Sequence, residues 1–145
     1  MPYRKHLNKV NMVAIAGLIA FAAWLGYDVI FPIHQIHSVV VRNPEIKHAP
    51  RMELCLDAVV SRRKTCDPTV IRFFRRLPNR DLIYTTKSPG AAGGLGTRLN
   101  VPFCTLLPPD VFVPGEYQSD GFVINTNCGE TFSVPSPAVT FRVVP

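Results

Sequence analysis

Hydrophobic and polar positions divide the chain into two parts with different periods. From Met12 to Tyr27 the residues MVAIAGLIAFAAWLGY carry no charge and show no polar face. Asp28 follows, then Val29-Ile30-Phe31 and Pro32, which cannot continue a helix. A helix rises about 1.5 Å per residue, so about 20 residues cross a hydrocarbon core of about 30 Å. Met12 to Phe31 has that length. A run apolar on all sides predicts a membrane span rather than one face of a soluble core. Trp24, Tyr27 and Asp28 stand at its far end, where amphipathic rings and a headgroup-reaching acid belong.

After Pro32 the period drops to two. Ser38-Val39-Val40-Val41 reads as a strand ended by Asn43-Pro44. Met52, Leu54, Leu56 and Ala58 alternate with Glu53, Cys55 and Asp57, the pattern of a half-buried strand. Leu99, Val101 and Phe103 alternate in the same way with Cys104 on the other face, as do Val139, Phe141 and Val143 with Thr140 and Arg142. Val70 to Arg76, a turn at Pro78-Asn79-Arg80-Asp81 and Leu82 to Thr86 predict a hairpin. Ser88 to Gly96 is glycine-rich and reads as a surface loop. It lacks the GK[ST] of a phosphate loop and the strand–glycine–helix setting of a dinucleotide site. Phe122 to Ile124 is a strand centre, and Asn125 to Gly129 a turn. Thirteen of the 14 prolines lie from Pro32 onward, which suits short strands and many turns.

The expected fold is a single N-terminal transmembrane helix followed by an all-β domain, an antiparallel β-sandwich of immunoglobulin-like architecture. The Pro114-Gly115-Glu116-Tyr117 entry into a strand carries that likeness. It resembles the corner of immunoglobulin-like sandwiches, where a Tyr at the start of the penultimate strand bonds to upstream backbone. The likeness implies architecture alone, since no Cys follows Tyr117 by two residues and the single Trp belongs to the membrane run. The expected organisation is a basic tail over 1–10, a span over 11–32, a stalk and first strand over 33–50, and the β domain over 51–145.

Charge orients the span. The net charge is +6, and Arg4, Lys5 and Lys9 supply half of it before the apolar run. The next base is Arg42. The positive-inside tendency places the N-terminus in the cytoplasm and the rest in the periplasm or outside the cell. Ala22-Ala23-Trp24-Leu25-Gly26-Tyr27 does not supply the small-x-small site of a cleaved signal, so the helix is read as an anchor. Gly17 and Ala20 to Ala23 would also suit an accessory subunit that packs through its helix, although no GxxxG is present.

All four cysteines, Cys55, Cys66, Cys104 and Cys128, follow the span. They fit two disulfides in an oxidising compartment. Their separations of 11, 38 and 24 contain no zinc knuckle. The local pairing Cys55–Cys66 with Cys104–Cys128 is the expectation. No metal and no cofactor is expected. His34, His37 and His48 all lie before residue 50, no G-x-S-x-G elbow occurs, and no close acid pair suggests glycoside hydrolysis. The domain is therefore expected not to be an enzyme; an envelope enzyme using those histidines is the alternative.

Arg62, Arg63, Lys64, Arg72, Arg75, Arg76 and Arg80 place seven bases in nineteen residues, opposed only by Asp67. Asp110, Glu116, Asp120 and Glu130 fall in a stretch without bases. If the fold keeps these regions apart, the domain is bipolar, with Phe74 among the bases at a contact surface. Beyond the lipid bilayer, the expected partner is an acidic protein or anionic headgroups; nucleic acid is not expected outside the cytoplasm.

Overall fold

The computed structural model describes residues 3–90, 94–125 and 133–145, with residues 3–8, 28–30 and 125 described by backbone alone. The chain divides into two units, Met1–Pro32 and Ile33–Pro145. The first is helix α1 (Tyr3–Ile30), which begins ahead of the apolar run and takes the basic tail into the same helix. Its Lys9–Tyr27 stretch is long and apolar enough to cross a membrane. Its large side chains are exposed, Trp24 at 71%.

The second unit is built from strands, in the order β1 (His34–Val41), β2 (Glu45–Lys47), β3 (Met52–Arg62), β4 (Pro68–Arg76), β5 (Asp81–Pro89), β6 (Gly94–Leu95), β7 (Leu99–Leu107), β8 (Gly115–Asn125) and β9 (Val134–Val144). Within the stretch expected as stalk and first strand, β1 begins at His34. In one sheet β3 lies between β1 and β7, with the short β6 beside its end. The other sheet runs β2-β9-β8-β4-β5.

The purely antiparallel expectation is corrected at two places. β2 runs parallel to β9, and β6 runs parallel to β3. Alternation fixes which side chains share a face, but it does not fix the direction of a neighbouring strand. After Asn43-Pro44 the chain crosses from one sheet to the other. The Arg142 N–H donates to the Pro44 carbonyl and the His48 N–H to the Val144 carbonyl, extending the β2–β9 ladder at both ends. Part of the glycine-rich segment is likewise more than a connector, since Gly94 and Leu95 pair with Ser61 and Arg62.

The inner faces follow the period of two. Met52, Leu54, Leu56 and Ala58 are buried from β3, and Val139, Phe141 and Val143 from β9. Between them lies an aromatic cluster. Phe74 meets Phe112 edge-on at 5.3 Å between centroids, and Tyr117 stacks on Phe141 at 5.5 Å. Tyr117 is fully buried near the start of β8 and donates its hydroxyl to the Val113 carbonyl, four residues upstream. That is the bond expected of the Tyr117 corner.

Truncating Phe74 to Ala is expected to cost about 3–5 kcal/mol of stability. Tyr117→Phe, which leaves the Val113 carbonyl without this donor, is expected to cost about 1–2 kcal/mol. Chemical denaturation of the full chain in detergent, followed by near-ultraviolet circular dichroism, measures both. A Phe74→Ala protein as stable as the parent would remove the cluster from the core.

Candidate functional site

The basic segment does not form one surface. β4 alternates, so Arg72 and Phe74 point inward while Phe73 and Arg75 point outward. Phe74 is fully buried, and Arg72 is 3% exposed. Neither belongs to an outer contact surface, which corrects the expectation for both. Arg75 faces Asp120 of the neighbouring strand at 3.7 Å. Arg76 and Arg80 are exposed at the hairpin end of β4, and Arg80 donates to Gln118. Arg62, which ends β3, and Arg63 and Lys64, which follow it, lie at the opposite end. The strand between spans about 26 Å at about 3.3 Å per residue.

The bipolar expectation fails for the same reason. β8 carries Glu116 and Asp120 and pairs directly with β4. Arg142 of β9 holds Glu116 at 2.7 Å. Bases and acids that are segregated in sequence are interleaved in the sheet. Glu130 lies outside the described residues.

Arg72 opens onto a different feature. A partly open cavity of about 220 Å³ lies between the two sheets. It exists because the inner faces change character along their length. On the hairpin side of Arg72, Phe74, Phe112, Tyr117 and Phe141 fill the space. On the other side the facing residues are Ala58, Val60, Val70, Val101, Val123 and Ser136, which are too short to meet across sheets about 10 Å apart.

The cavity lining is mostly apolar, and its polar residues are His34, Gln35, Arg72, Ser88, Thr105 and Ser136. Arg72 Nη1 donates to Ser119 Oγ at 3.2 Å, and its guanidinium carbon lies 4.8 Å from the centre of the Phe103 ring. Arg72 Nε is buried without a hydrogen-bond partner, as are His34 Nε2 and Ser136 Oγ. Among the described residues no carboxylate pairs with Arg72. Burial alone pushes its pKa down to about 10, which leaves it charged at neutral pH. Gly121 makes this packing possible: a Cβ there would come within 3.0 Å of the Arg72 Cα and closer still to the Ile71 carbonyl oxygen.

His34, at the start of β1, is 6% exposed. Burial first, then the charge of Arg62, holds its imidazole below the ordinary histidine range; a hydrogen bond to the Cys66 backbone acts in the opposite direction. His37 lies on the exposed side and bonds Ser61 Oγ at 2.8 Å. His48 bonds the Pro109 carbonyl. The three histidines therefore sit in three different settings and form no joint catalytic or ligand set.

Cys55 and Cys104 face each other in register on β3 and β7, with Cα atoms 4.1 Å apart, and form a disulfide. The local Cys55–Cys66 pairing is corrected. The Cys55 N–H bonds Asn43 Oδ1 and its carbonyl accepts from the Arg42 N–H. Both groups turn toward β1, so the pair with Cys104 is the narrow, non-hydrogen-bonded kind, where side chains come closest. Cys66 is disulfide-bonded too. Cys128 lies outside the described residues. Glu53, Cys55 and Cys104 cluster closely enough to suggest a metal, but sulfurs joined to each other cannot act as thiolate ligands.

No protein family and no curated protein matches the sequence. Among solved structures, the C-terminal domain of Wzt aligns with a TM-score of 0.51 at 13% identity, covering 78% of this chain and 74% of that one. That likeness supports a two-sheet β fold. A Pseudomonas fluorescens alkylpurine DNA glycosylase bound to DNA aligns at 0.46 and 14% identity, over 77% of this chain and 30% of its own. A β-glucosidase from Erythrobacter marinus aligns at 0.45 and 13%, over 77% and 15%.

Two outcomes follow. Non-reducing peptide mapping is expected to recover Cys55 linked to Cys104, and removing both cysteines should cost about 2–4 kcal/mol; recovery of a Cys55–Cys66 peptide would overturn the assignment. His34 binds a proton less readily folded than unfolded. Stability should therefore be complete above the unfolded value of about 6.5 and fall as pH drops from there toward the folded pKa. His34→Gln should flatten that slope in denaturation curves recorded between about pH 7.5 and 5.

Proposed function

We propose that this is a single-pass membrane protein that presents its β domain outside the cytoplasm as a non-enzymatic interaction module. The observation that carries the reading is the combination of a helix whose exposed Lys9–Tyr27 stretch is long and apolar enough to cross a membrane with a domain whose described cysteines are all disulfide-bonded. Disulfides persist in oxidising compartments, and the bases Arg4, Lys5 and Lys9 favour a cytoplasmic N-terminus. The immunoglobulin-like character of the domain belongs to this reading and rests on the Tyr117 corner.

The partner chemistry we favour is an acidic protein surface. Arg76 and Arg80 at the β4–β5 hairpin are its first contact, because they are exposed and lie together at the hairpin end of the sheet. Such a contact steers association electrostatically and weakens with salt. It does not include Arg72 or Phe74.

Labelling with a membrane-impermeant thiol reagent in intact cells tests the topology. Cysteines that react only after reduction support an external, disulfide-bonded domain. Cysteines that stay unlabelled in intact cells, yet react after lysis without reductant, overturn it. Replacing Arg76 and Arg80 with Ser should lower recovery of crosslinked partners at least several-fold at low salt. Unchanged recovery of the same partners would exclude the hairpin as the contact.

A further inference from the structure

We propose that the cavity between the two sheets is a binding site for a small carboxylate with an apolar body, and that Arg72 is the residue that receives its charge. The proposal is independent of the outer contact surface and of the side of the membrane on which the domain lies.

Three observations converge on this chemistry. First, Arg72 is a 97% buried cation, taking its exposure of 3% from the whole, and among the described residues its hydrogen-bond partner is neutral Ser119. Removing an ion from water costs several kcal/mol unless an opposite charge and further hydrogen bonds offset it. Nη1 is engaged by Ser119 and Phe103 covers the guanidinium face, while Nε has no partner. Nε and Nη2 form the edge that a carboxylate bridges with two parallel bonds.

Second, the other polar residues lining the same cavity are complementary to an acid with a further polar group. Ser136 Oγ has no partner and can donate or accept. His34 Nε2 also has none, and the imidazole is held toward its neutral form. Three residues that line one cavity each carry an orphaned polar atom, which is costly in an apolar interior and which a small shift of the side chain toward a bound polar molecule would satisfy.

Third, the volume and walls suit an apolar body. An apolar cavity of about 150 Å³ accommodates benzene, and this one measures about 220 Å³. Val60, Val70, Val101 and Phe103 provide the walls. Inorganic phosphate would meet the guanidinium but leave these walls uncovered. A neutral apolar molecule would cover the walls but leave the cation alone.

Benzoate and benzamide are matched probes, since they share a ring and differ in charge. Binding to the full chain in lipid nanodiscs is measured by saturation-transfer NMR titration, with empty nanodiscs as the blank. Benzoate is expected to bind saturably and at least tenfold more tightly than benzamide. Arg72→Met should remove that preference. If circular dichroism shows that Arg72→Met does not fold, Val101→Phe, which adds bulk to the wall and keeps the cation, should weaken benzoate at least tenfold in a folded domain. Equal binding of the two probes overturns the proposal. So does an absence of saturable benzoate binding, or benzoate affinity unchanged in the folded variant.

Discussion

Sheets that face each other across about 10 Å leave a gap that side chains must fill, and this requirement shapes the domain. Where the inner residues are aromatic, they fill it: Phe74, Phe112, Tyr117 and Phe141 contact one another from different strands and the loop before β8. Where they are Ala58, Val60, Val123 and Ser136, the gap stays partly open. Arg72 stands at the boundary between these regimes, one inward position from Phe74 on the same strand. The rigid core and the cavity are thus two consequences of one distribution of side-chain sizes.

The period of two made much of this legible in the sequence. Alternation identified the inner faces of β3 and β9, and the structure buries those residues. Pro78-Asn79-Arg80-Asp81 marked the hairpin, and Tyr117 makes its expected backbone bond. These features depend on residues near one another in sequence, so local pattern suffices to find them. The parallel β2–β9 pairing depends on a crossing between sheets and left no comparable local mark.

The charged residues were harder to place because linear density is a poor guide to surface density in a strand. Successive residues of β4 face opposite ways, and its length separates its ends. A signal for the true position of Arg72 was present nonetheless: it shares parity with Phe74 and Val70, which are inward residues. The same reasoning would have found the disulfide. Cys55 and Cys104 each lie on the polar parity of an alternating strand, so they share the outer face of one sheet. Loop length says little about which strands become neighbours.

The borders of the sheets carry a further consequence. A bare strand edge is a template for adding another strand. Each border here is interrupted. β2 is three residues long and follows Pro44; β5 carries Lys87 and ends in Pro89; β7 contains Pro102; and β1 changes register between Ile36 and Ser38. Prolines remove a donor, lysine resists burial, and a bulge spoils the spacing of the next ladder. The scattered prolines of the β domain, which first read as punctuation between strands, also keep neighbouring molecules from joining into one continuous sheet.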